Sequence, residues 1–134
     1  MVDLTITATN VLAGGNATTE TGKAGVAITA GQVVYKEAAT GTFKLADCDS
    51  ATAEVKVPYG IALNGAGVGQ PVVVATGGDV TLGAVLTAGL PVYLSETPGG
   101  MRLTPDTGDY VAMLGIAKTT SILAIRIIIP GVTL

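Results

Sequence analysis

Apolar and polar residues alternate from the second position of the chain: Val2, Leu4, Ile6 and Ala8 are interleaved with Asp3, Thr5, Thr7 and Thr9. A period of two sends successive side chains to opposite faces, so residues 2–9 are predicted to form a half-buried strand. Residues 10–25 hold Gly, Thr, Asn and Ala without an apolar period, and read as a flexible loop that leaves this first strand on a tether. Further on, short apolar runs bounded by Gly and polar residues predict strands at 24–29, 32–37, 42–46, 59–63 and 70–76. Residues 47–56 alone have helical composition, with Asp49 or Ser50 to cap one or two turns and Pro58 to close them.

The pattern then repeats. Residues 28–45 return at 86–103 without a gap: Ile28 falls on Leu86, Gly31 on Gly89, Val34 on Val92, Tyr35 on Tyr93, Gly41 on Gly99, Lys44 on Arg102 and Leu45 on Leu103. Leu114-Gly115-Ile116-Ala117 answers Tyr59-Gly60-Ile61-Ala62 at a shorter spacing, and Ile127-Ile128-Ile129 answers Val72-Val73-Val74. The missing residues belong to the 47–56 region, where the second copy has only Pro105-Asp106-Thr107-Gly108-Asp109. Two copies are too few for a solenoid and are expected to share a core. The expected fold is therefore mainly β: a small β-sandwich or barrel-like domain over residues 26–134, built from a duplicated β unit with copies at about 26–79 and 83–134. Residues 1–25 would form an extended N-terminal arm and flexible loop, and at most one short helix is expected.

Composition fits short strands joined by tight turns. Of 134 residues 49% are hydrophobic but only 4% aromatic, and 19 are Gly, so the core must come from Val, Ile, Leu and Ala. The net charge is -3, and the seven Lys and Arg are scattered singly, which argues against nucleic-acid binding. With no His, the commonest general base and metal ligand is missing. Cys48 stands alone and is expected to be a small buried hydrophobe. No secretory signal is expected from the first residues, and the most apolar run, 122–130, is interrupted by Arg126 and is far shorter than the ~20 residues of a membrane helix. Solubility without a membrane partner is the expectation.

Charge placement adds one feature. Between Lys56 and Glu96 only Asp79 is charged, and after Lys118 only Arg126. So neutral a stretch either lies buried on both faces or exposes an apolar surface for self-association, and both can hold.

Few motifs invite chemistry. Gly65-Ala66-Gly67-Val68-Gly69 resembles a phosphate loop only in glycine content, since a strand rather than a helix follows. Asp47-Cys48-Asp49 and Asp106-Thr107-Gly108-Asp109 can be read as Ca²⁺ ligands or as turn-forming and capping residues; the spaced oxygens of a calcium loop are lacking, which favours the turn. Tyr35 and Tyr93 can be binding platforms, but anchors of a small core are favoured. No catalytic, cofactor-binding or metal residue is nominated, and an enzyme is not expected.

The unit Ala30-Gly31-Gln32-Val33-Val34-Tyr35 with Gly60-Ile61-Ala62, repeated as Ala88-Gly89-Leu90-Pro91-Val92-Tyr93 with Gly115-Ile116-Ala117, resembles the small capsid cement, or decoration, proteins of tailed bacteriophages. The resemblance covers residues of about 24–134. It implies a non-enzymatic homotrimer, made in the bacterial host cytoplasm, on the outer capsid surface of the virion, clamping neighbouring subunits of the major capsid protein. Under that resemblance residues 2–9 are expected to be a capsid-binding arm, whose backbone joins a sheet edge of the capsid or a neighbouring subunit while Val2, Leu4 and Ile6 fill pockets. The alternative is a head-fibre or tail-associated adhesin module that binds host surface or glycan.

Overall fold

The computed structural model describes residues 3–133. Its strands are β1 (Leu12–Ala13), β2 (Thr18–Lys23), β3 (Val33–Lys36), β4 (Phe43–Leu45), β5 (Gly60–Ala62), β6 (Pro71–Thr81), β7 (Pro91–Leu94), β8 (Met101–Arg102), β9 (Met113–Ala117) and β10 (Ile122–Ile128). They form an antiparallel sheet curled into a half-barrel, in the order β4-β3-β5-β6-β10-β9-β7-β8, with β1 and β2 also paired to β6. That order is palindromic: β3 to β6 of the first copy are mirrored by β7 to β10 of the second. The duplicated barrel-like β domain expected from the sequence is what the chain forms.

The repeated residues do the same work in both copies. Gly31 and Gly89 both turn with positive φ, at 91° and 84°. Each donates its N–H to an alanine carbonyl of its own copy, Gly31 to Ala62 and Gly89 to Ala117, both at 2.8 Å. Gly41 and Gly99 also share a left-handed turn, which an L side chain would strain. Register corrects one sequence equivalence. Ala62 pairs with Val74 and Ala117 with Leu123, so Val74 corresponds to Leu123 and not to Ile129. The reason is hairpin length: the second hairpin turns through residues 118–121, the first through 63–70.

Four other expectations are revised. Residues 3–7 alternate as predicted, with Leu4 and Ile6 half-buried and Thr5 and Thr7 exposed, but they form no strand. Single backbone bonds, Leu4 N–H to Met101 at 2.8 Å and Thr7 N–H to Gly83 at 2.9 Å, hold them, and a 3-10 turn (Ala8–Asn10) ends the segment. Residues 10–25 are no flexible loop, because β1 and β2 follow β6 through Val80–Thr81 and Pro71–Gly77 respectively. Residues 24–29 are no strand; isolated bridges join Ala24 to Phe43 of β4 and Ile28 to Ala66 in the turn after β5. The helix expected in 47–56 shrinks to one 3-10 turn (Ala53–Lys56) with Thr52 before it and no side-chain cap.

Two cores result. The smaller one packs Val34, Ala62, Val72 and Val74 with Ala24, Ile28 and Phe43, on one face of the first copy's strands. The opposite face, Val33, Tyr35, Ile61 and Ala75, joins the larger core with Val92, Leu94, Met101, Leu114, Ala117 and Leu123 of the second copy. The ends of the curled sheet are tied together as well. Val33 N–H donates to Gly99 at 2.9 Å, Gly99 N–H to Ala46 at 2.7 Å and Cys48 N–H to Ser95 at 3.0 Å.

Candidate functional site

The N-terminal segment, predicted to bind a partner, lies in a seat between the two copies. Val2 falls outside the described residues. Leu4 and Ile6 pack against the larger core, and Ile6 lies close over Gly31, where a Cβ would meet its Cγ2 at 2.5 Å. Beside them runs a cleft of about 310 Å³, lined by Asp3, Leu4 and Ile6 with residues 29–32 of the first copy and 97–100 of the second. The arm is thus lodged on its own chain, not tethered free. Burial of Leu4 and Ile6 together with two backbone bonds is sufficient reason for a segment covalently held beside its seat to stay there.

An ion cluster anchors this segment. Arg102 on β8 is 2% exposed, and the loops after β8 bring acids to it. Asp3 Oδ1 accepts from Arg102 Nε at 3.1 Å and from Nη2 at 2.9 Å. Nη1 donates to Asp106 Oδ2 at 2.9 Å and to Asp109 Oδ2 at 3.4 Å, and Glu96 stands 3.6 Å from Nη2. Burial opposes the guanidinium charge, but Asp3, Asp109 and Asp106 outweigh it and hold the pKa above its ordinary value. Burial likewise works against ionised Asp3, yet hydrogen bonds from Ser95, Thr97 and Arg102 keep its carboxyl below the ordinary aspartate range.

The groups with nucleophilic potential are committed to structure. Buried Ser95 donates its Oγ–H to Asp3 Oδ1 at 2.6 Å and accepts the Thr97 N–H at 3.0 Å. Burial, then the neighbouring Asp109 carboxylate, pushes the Cys48 thiol up to about 12, where it is no nucleophile at neutral pH. The two acidic clusters part company. Asp106 and Asp109 serve Arg102, and Asp109 Oδ2 also accepts the Asp106 N–H at 2.8 Å. Asp47 instead makes an Asx turn, its Oδ1 accepting the Asp49 N–H at 3.0 Å.

The equivalent cation of the first copy, Lys44, makes a half-buried pair with Glu37 at 2.8 Å. Lys44 aligns with Arg102 in the repeat, and Asp106 and Asp109 stand out as an acidic cluster, but nothing in the repeat alignment joins them to Arg102. The repeated cation beside an acidic loop was the available signal. Tyr35 is buried in the larger core and Tyr93 half-buried at the surface, so their roles differ. No protein-family profile, curated protein or solved structure matches the chain.

Proposed function

We propose that this protein is a non-enzymatic structural component of a phage head, a homotrimer that binds the outer capsid surface and clamps neighbouring major capsid subunits. One observation carries the reading: the residues of the resemblance do the same work in both copies. Gly31 and Gly89 turn alike and bond alike to Ala62 and Ala117, so the motif builds a duplicated scaffold rather than a site. The charged and nucleophilic side chains around Arg102 support it, since they are spent on holding the N-terminal segment. In this reading residues 3–7 leave their seat, or extend from it, to add to a capsid sheet edge, and trimerisation multiplies the weak affinity of each arm.

The adhesin alternative needs aromatic platforms on the surface. None of the four Tyr and one Phe is exposed: Tyr35 and Phe43 are core residues, and Tyr59 is half-buried with its hydroxyl on Glu20 Oε1 at 2.6 Å. The discriminating experiment is sedimentation of the purified protein, followed by mixing with undecorated heads. A trimer that saturates the heads supports the cement reading; a monomer indifferent to them refutes it. Removing residues 1–10 from a chain that still folds should sharply lower head occupancy, and unchanged occupancy would sink the arm.

A further inference from the structure

We propose that Asn64 is a self-modification site, where the Gly65 nitrogen slowly converts the side-chain amide to a carboxylate and so releases the turn at 63–70. The reaction needs only water and is independent of the head-binding role proposed above.

Of the three Asn in the chain, only Asn64 precedes a glycine. A backbone nitrogen attacks the side-chain amide of the preceding residue most readily when it is uncrowded, and glycine, without a Cβ, crowds it least. The turn leaves this nucleophile open. Gly65 is exposed, a Cβ built on it would meet nothing closer than the Ile28 carbonyl oxygen at 3.6 Å, and among the described residues its N–H meets no protein acceptor.

The electrophile, by contrast, is clamped. Half-buried Asn64 accepts the Val73 N–H on Oδ1 at 2.7 Å, and its Nδ2 donates to the carbonyls of Gly65 at 3.0 Å and Pro71 at 3.2 Å. One N–H on the oxygen and two carbonyls on the nitrogen fix the orientation of the amide and use both Nδ2 hydrogens. Loss of ammonia breaks both Nδ2 bonds, so the closed turn holds the reaction back and conversion runs through molecules in which the turn has opened. The second copy closes its equivalent hairpin without such a side chain, Lys118 N–H donating to the Ile122 carbonyl at 2.8 Å, so the site is confined to the first copy.

The step balances with water as its co-reactant. The Gly65 nitrogen gives up its proton and bonds to Asn64 Cγ, the Cγ–Nδ2 bond breaks, ammonia leaves with that proton, and a cyclic imide closes. Water then opens the ring: addition at Cγ gives aspartate, and addition at the main-chain carbon gives isoaspartate, in which the backbone runs through the side chain. Either product lacks the two hydrogens that held the Gly65 and Pro71 carbonyls, and in aspartate a carboxylate oxygen stands against them instead. The effect extends past the turn. Ala66 N–H donates to the Ile28 carbonyl at 2.9 Å, Ile28 N–H to the Ala66 carbonyl at 2.8 Å, and Gly69 N–H to the Ala24 carbonyl at 2.7 Å, so the turn fastens the link between β2 and β3.

The test incubates the folded protein and the urea-unfolded chain in mildly alkaline buffer and follows residue 64 by peptide mass spectrometry. Aspartate and isoaspartate should accumulate at 64 in both, on the order of tenfold more slowly in the folded chain. Gly65→Ala, whose methyl fits the folded turn, should slow conversion in both. Asn64→Asp, a mimic of one product, should lose amide protection at Ala66 and Gly69 by on the order of tenfold, while Ala117 in β9 keeps its own. If Asn64→Asp does not fold, the same amides are read in aged wild type. A folded chain still intact at 64 after many unfolded half-lives overturns the site, equal rates in the two states overturn the clamp, and unchanged protection at Ala66 and Gly69 overturns the release of the turn.

Discussion

Asp3 and Arg102 stand 99 residues apart in sequence and share a forked hydrogen bond in which one carboxylate oxygen receives both Nε and Nη2 of the guanidinium. The pair fastens the start of the chain to β8 of the second copy. Because Arg102 is buried, its removal strands the equally buried Asp109 without its cation. Arg102→Met should cost about 3–5 kcal/mol in urea unfolding. Arg102→Lys should lose less but not recover wild type, since an ammonium cannot serve Asp3, Asp106 and Asp109 in a fixed fork. A Met variant as stable as wild type would show the cluster to be dispensable.

The same pair predicts acid sensitivity of the N-terminal segment. Asp3 has its carboxyl held below the ordinary range when folded, so the folded state favours its ionised form. Its contribution is present above the unfolded aspartate pKa, about 4, and is lost as pH falls through the lower folded value. The protection of the residue 4–7 amides, taken against their intrinsic exchange rate at each pH, should therefore fall first on acidification, before that of the core. In Asp3→Asn this acid-dependent step should vanish, with protection low at all pH values.

How far the fold could be read from the sequence follows from what each residue pattern encodes. The glycine and alanine positions of the repeat were legible because left-handed turns and close strand crossings demand small residues at fixed spacing. β2 was missed because Thr-Thr-Glu-Thr-Gly-Lys has no apolar alternation. It is held by its ladder to β6, and by Lys36 and Tyr59 on Glu20 at 2.8 and 2.6 Å, partners distant in sequence. At the N-terminus the alternation named Leu4 and Ile6 correctly as inward, but not their setting, because period-two burial needs no ladder. The Arg102 cluster was legible only in part: a cation beside an acidic loop signals Asp106 and Asp109, whereas Asp3 and Glu96 join them only through the fold.

Asp47 gives a prediction of opposite sign. Burial, then the adjacent Asp49, raises its carboxyl to about 6, so the folded state binds the proton more tightly than the unfolded one. Stability is full below the unfolded pKa and declines as pH rises through about 6. Asp47→Asn keeps an oxygen for the Asp49 N–H and removes the charge. It should match wild type near pH 4 and be more stable at pH 8, solvent screening limiting the gain to about 1 kcal/mol, or roughly 3–5 °C in Tm. A variant less stable at pH 8 would contradict it.

Gly60 and Gly115 test the duplication itself. A Cβ on Gly60 would strike the Ala75 carbonyl oxygen, and one on Gly115 the Ala124 carbonyl oxygen, so each glycine lets a strand cross close to its hairpin partner. Gly60→Ala and Gly115→Ala should each cost about 2–3 kcal/mol by forcing backbone apart. Gly15→Ala, with nothing within 4 Å of its Cβ, should be nearly neutral. Unequal costs at 60 and 115 would mean that the two copies do not use their shared ladder alike.

Cys48 reports on the joint between the copies. Its N–H is bonded to Ser95 of the second copy at 3.0 Å, its side chain is 1% exposed, and Asp109 lies beside the thiol. A thiol pushed up to about 12 has, at pH 8, a thiolate fraction roughly a thousandfold below that of an unfolded cysteine. Alkylation by iodoacetamide must therefore proceed through opened molecules, at a rate set by their equilibrium population when reclosing is fast. In urea the rate should rise in step with global unfolding. Arg102→Met, by weakening the cluster around Asp109, should speed labelling in buffer by on the order of 100-fold or more, the factor that about 3 kcal/mol implies. Labelling of the folded wild type as fast as a free thiol would mean that the joint between the copies stands open in solution.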